Sequence, residues 1–156
     1  MGLDLVLYTA FDAEGREEKE ELAYGRKTWA IADFLRFDED AIEVDGDWLY
    51  KIPKTTWDRF VNAIAPYMEN HYFRVMVEDF YKYLWKEEDK EEEWDPSKEC
   101  VYSLIESALD NMFGYDCSYQ LGPDWEMAAV IRWWEAREKV NKAYEDNETV
   151  WLIVSY

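Results

Sequence analysis

The closing run Thr149-Val-Trp-Leu-Ile-Val-Ser-Tyr156 is what most constrains this chain. Val150 to Val154 is unbroken apolar sequence, so a strand there is apolar on both faces and has to be central or covered on both sides. A partner stands at the other end of the chain. Leu3, Leu5 and Leu7 alternate with Asp4, Val6 and Tyr8, the period of a strand with one buried face. Between the two lies a hairpin signal: Ile42-Glu43-Val44, then Asp45-Gly46, then Asp47 to Ile52. Asp-Gly supplies the positive φ angles of a two-residue turn, and Pro53 ends the strand. The terminal strands are therefore expected to be neighbours in one sheet, extended by the hairpin.

Five helical patterns are left to cover that sheet. The first spans Tyr24 to Arg36, with Tyr24, Thr28, Ile31 and Leu35 on one face. In the second, Thr55 is the expected N-cap, Trp57, Phe60, Val61 and Ile64 turn inward, and Pro66 breaks or kinks the helix. The third runs from His71 to Lys86. The fourth opens at Asp95-Pro96, buries Val101, Leu104, Ile105, Ala108, Leu109 and Met112, and exits at Gly114. The fifth opens at Gly122-Pro123-Asp124 and reaches about Tyr144, with Met127, Val130, Ile131 and Trp134 inward. Asp12 to Glu21 is polar and mostly acidic, and reads as a loop. Without an internal repeat or a linker, the expectation over 1–156 is one α+β domain: a small sheet from the two terminal strands and a hairpin, covered by about five helices.

Nine Trp, twelve Tyr and seven Phe give that domain ample material for a core. The surface is the unusual part. The chain has 36 acids against 17 bases, a net charge of −19. Both halves are acidic, so no detachable tail carries the charge. A body of this kind is repelled by nucleic acid and by anionic membrane and attracted to basic surfaces. The densest runs hold Asp38, Glu39, Asp40, Glu43, Asp45 and Asp47, then Glu87, Glu88, Asp89, Glu91, Glu92, Glu93 and Asp95 around Trp94. These are the candidate partner-binding residues, with Glu135, Glu138, Glu145 and Asp146 adding to the field. Carboxylates three or four residues apart on a helix recur every ~5–6 Å, close to phosphate spacing. Trp94 is the type of residue that anchors an interface.

Catalytic vocabulary is sparse. His71 is the one histidine, placed where capping or packing is its expected role. A serine or cysteine nucleophile would need that same residue as its base. The nucleophile elbow, the phosphate-binding glycine loop, the dinucleotide fingerprint and the zinc-protease motif are absent. Neither Asp38-Glu39-Asp40 nor Asp45-Gly46-Asp47 has the offsets of a calcium loop. No catalytic residue, metal or cofactor is expected. Cys100 and Cys117 lack redox or metal spacing, no apolar run reaches membrane-spanning length, and no secretion signal opens the chain. A cytoplasmic protein with reduced thiols is expected.

Met1-Gly2-Leu3-Asp4-Leu5-Val6-Leu7-Tyr8, with Leu22-Ala23-Tyr24-Gly25-Arg26-Lys27 opening a helix, resembles a group of small phage and prophage proteins. Members begin Met-Gly-Leu-Asp-Met-x-Leu and carry Tyr-Trp-Arg-Lys at a helix head. This chain departs from them at Gly25, where the group has Trp, and at Ala32, where it has a His. The resemblance implies a phage setting and no particular activity. Charge and setting together point to a non-enzymatic inhibitor of a host defence system, of restriction or CRISPR type. Its acidic surface would mimic nucleic acid and block a basic groove on a host protein. The alternative is a small enzyme or ligand-binding protein with a Trp/Tyr-lined pocket, in which acidity only confers solubility.

Overall fold

A computed structural model describes residues 3–36, 41–84, 96–114 and 123–155. In chain order the elements are β1 (Asp4–Ala10), β2 (Glu18–Arg26), α1 (Trp29–Arg36), β3 (Ala41–Val44), β4 (Asp47–Lys51), α2 (Lys54–Met68), α3 (His71–Leu84), α4 (Pro96–Phe113), α5 (Pro123–Glu135), α6 (Arg137–Glu145) and β5 (Val150–Ser155). The fold is α+β. All strand pairs are antiparallel, in the order β2-β1-β5-β4-β3. The terminal strands are neighbours, with Leu5 opposite Val154 and Leu7 opposite Leu152. The hairpin extends the sheet beyond β5, and Asp45 and Gly46 both take positive φ at its turn.

β5 is central, as a strand apolar on both faces must be. Its inner side chains, Leu152 and Val154, join Leu3, Leu5, Leu7 and Tyr50 in the main core under the helices. Rings form the middle of that core. Phe60 stacks on Phe113 at 6.1 Å, and Trp57 and Trp133 lie within 6.5 Å of each other with no exposed surface. Each such pair adds about 0.5–1.5 kcal/mol to ordinary apolar burial. The outer face carries a smaller cluster of Tyr8, Leu49 and Trp151, flanked by Val6, Ala10, Val44 and Ile153.

The main correction to the sequence reading is β2. Residues 18–26 form an edge strand, so the expected loop ends before Glu18 and the first helix begins at Trp29, not Tyr24. The first four residues of β2 are exposed charges, which leaves no alternation to read. Charge on an edge strand also blocks pairing with other chains. Helix α1 keeps Ile31 and Leu35 inward as expected, while Tyr24 lies on the strand. Thr55 is not the N-cap of α2: the helix starts at Lys54, behind Pro53, without a side-chain cap. Leu104 points outward, 52% exposed, while Ile105, Ala108, Leu109 and Met112 hold the buried stripe. The long fifth helix is two helices that meet at Ala136. There Arg137 folds back over the Trp134 ring and its Nε donates to the Trp134 carbonyl at 2.7 Å.

Candidate groove on the outer face of the sheet

Pairing puts Val6, Leu49 and Ile153 side by side on the face away from the helices, since directly opposed residues share a face. The β1–β2 connection bends over one end of this apolar strip. Asp12 shapes it by accepting hydrogen bonds from the backbone N–H groups of Arg16 (3.0 Å) and Glu17 (2.8 Å). The Glu17 bond, foremost, holds the Asp12 carboxyl below its ordinary range. Gly15, at φ +77°, then rests on the Trp151 ring. The Tyr8 hydroxyl ties the connection down by donating to the Gly15 carbonyl at 2.6 Å.

The result is an open groove of about 380 Å³. Val6, Val44, Leu49 and Ile153 form its floor, and Glu18, Glu21, Asp45 and Asp47 stand round it. Arg16 is the one basic residue among those lining it. The hydroxyls that face the groove are already committed: Tyr8 to Gly15, and Ser155, whose Oγ donates to Asp47 Oδ1 at 2.7 Å. Desolvation, with Asp12 and Glu18 adding to it, pushes the Tyr8 phenol up to about 12, so it stays a neutral donor. What the groove offers a ligand is aliphatic surface and negative charge. Tyr8 is the one aromatic residue among those lining it.

Of the candidate partner-binding residues, Asp45 and Asp47 are brought to this groove. Glu43 is exposed on β3 but lies opposite Trp48, on the other face of the sheet. Asp38, Glu39, Asp40, Glu87, Glu88, Asp89, Glu91, Glu92, Glu93, Trp94 and Asp95 lie outside the described residues. Glu138 and Glu145 are exposed on α6. Asp146 lines a smaller polar cleft of about 270 Å³, where Lys19 bonds to Glu148 and Lys139 lies 3.5 Å from Glu20. Glu18 and Glu21 entered no expected site, because their segment reads as a loop. Their one visible signal is a dense acidic run just before an apolar stretch.

A second feature lies where α5 crosses β2. Glu126 is 3% exposed, and its carboxylate accepts a hydrogen bond from the Ala30 N–H at 2.6 Å, in the first turn of α1. Burial raises its pKa from 4.5 to about 8, against the lowering effect of the Ala30 and Ile31 N–H groups. Beside it the Arg26 and Lys27 cations sit 5.5 and 5.0 Å from the Trp125 ring centre. Arg132 and Trp133 both donate to the Tyr24 carbonyl, which locks α5 onto the strand. These groups build the junction between layers.

Among the described residues, no three His, Cys, Asp or Glu side chains come together in a metal-binding arrangement, and no helix is long and apolar enough to cross a membrane. No known protein family, curated protein or solved structure matches the chain.

Proposed function

We propose that this chain is a non-enzymatic interaction protein that uses fixed carboxylates to occupy a basic, nucleic-acid-binding surface on a protein partner. One observation carries the reading. Glu18 and Glu21, from the first edge strand, and Asp45 and Asp47, from the hairpin, surround a single apolar concavity whose hydroxyls are already bonded within the chain. Holding like charges round a common concavity opposes folding, and a cationic partner relieves that repulsion. The net charge of −19 supplies a long-range field of the same sign. The likeness of residues 1–8 and 22–27 to phage proteins supports a host setting, with a restriction or CRISPR-type defence protein as the partner.

The test is capture from a bacterial lysate at low and at high salt, followed by competition with duplex DNA. The expected catch is a basic nucleic-acid-binding protein that is released by salt and displaced by the duplex. A catch that resists both salt and duplex overturns the proposal.

A further inference from the structure

From the geometry of the groove we infer the chemistry of its occupant: an extended peptide segment of the partner, patterned basic–x–apolar–x–basic. This rests on the proposed function and names the contact that function would use. Three features converge on that pattern.

The first is the floor. Val6, Leu49 and Ile153 have no polar group to offer, and the nearby hydroxyls are committed to Gly15 and Asp47. The groove therefore takes an aliphatic or aromatic side chain, and a hydrogen-bonding metabolite would leave its own polar groups unpaired there. A cavity of about 380 Å³ is also wider than a bare methylene chain needs.

The second is the spacing of the charges. Glu21 is level with Tyr8, whereas Asp47 is bonded to Ser155, which is level with Asp4. That is four residues along the strands, about 13 Å, and three strand spacings across, about 14 Å. The two sides of the rim thus stand on the order of 19 Å apart along a diagonal. Five extended residues span about 13 Å, and lysine or arginine side chains at both ends cover the remainder. Residues i−2, i and i+2 of an extended segment point the same way, so an apolar anchor and both flanking cations face the sheet together.

The third is sign. A second copy of this chain would bring another net charge of −19 to an acidic rim, and the chain's own runs at 38–40 and 87–95 are acidic too. The occupant is cationic and comes from another molecule.

Calorimetry with the synthetic peptide Lys-Ser-Phe-Ser-Arg, capped at both ends, tests this on the full chain. Binding is expected, with at least a tenfold loss when the peptide's Phe becomes Ser or its two bases become Glu. Val6→Lys and Ile153→Lys, at partly buried floor positions, should each reduce binding at least tenfold while the melting curve stays cooperative. Glu21→Lys with Asp45→Lys should do the same, and Glu138→Lys with Glu145→Lys on α6 should change it less than twofold. Spermine, which has charge without an anchor, should bind at least tenfold more weakly than the peptide. The groove is refuted if the peptide does not bind, if both floor variants bind it normally, or if spermine matches it. If floor variants bind normally but high salt and both pairs of reversals abolish binding, the charge-based function stands and the groove falls. If salt and reversals have no effect, the function itself falls.

Discussion

Gly15 lies flat against the indole of Trp151: a Cβ at Gly15 would stand 2.5 Å from Cδ2 of that ring. The contact fixes the β1–β2 connection over the outer face and gives the groove its closed end. Gly15→Ala has to strain a backbone at φ +77° and push aside a buried ring. A loss of about 2–4 kcal/mol in chemical denaturation is expected. Gly46 also has positive φ, but a Cβ there would meet nothing within 4 Å. Gly46→Ala should therefore cost only about 1–2 kcal/mol.

Gly25 tests a different joint. A Cβ there would approach Ala129 of α5 at 3.2 Å and Thr28 at 3.0 Å, so α5 packs tightly on β2 at this residue. Gly25→Trp should lower stability by at least about 3 kcal/mol or prevent folding. Gly25→Ala should cost about 1–2 kcal/mol. Thermal melts of the two variants check the order.

Glu126 makes a pH prediction. Its folded pKa of about 8 lies above the unfolded value near 4.5, so the folded chain binds the extra proton between those limits. The stability this gives is complete below about pH 4.5 and is lost as pH rises through about 8. Glu126→Gln keeps an acceptor for the Ala30 N–H and cannot ionise. The variant should match the parent near pH 5 and exceed it by on the order of 2–4 kcal/mol near pH 9, measured as the difference in unfolding free energy. Equal pH profiles would show that Glu126 has an ordinary pKa.

Deleting residues 150–156 removes the strand that pairs with both β1 and β4 and should abolish cooperative folding. A soluble truncation with a sharp melt would contradict the central place of β5.

Where the sequence predicts the structure well, a strong local pattern and the tertiary environment agree. Leu3, Leu5 and Leu7 alternate because one face of β1 is core. Asp45-Gly46 takes positive φ because little else does so cheaply. Trp57, Phe60 and Ile64 keep helical spacing and are all buried. Where the reading fails, packing overrides a weak local signal. Glu18 to Glu21 has the composition of a loop, and only pairing with Tyr8, Thr9 and Ala10 makes it a strand. Leu104 fits the apolar stripe by spacing yet faces outward. The groove was half legible: Asp45 and Asp47 stand out as acids. That Glu18 and Glu21 face the same concavity follows from the strand order β2-β1-β5-β4-β3, which no local pattern encodes.

The most direct test of the central claim is simultaneous reversal of Glu18, Glu21, Asp45 and Asp47 to Lys, with affinity for the captured basic partner measured at low salt. Each rim charge contributes modestly alone, so single reversals should weaken binding less than about fivefold. The fourfold reversal should abolish detectable binding while circular dichroism and the melting curve still report a folded chain. A folded fourfold variant that binds the partner as tightly as the parent would contradict the account.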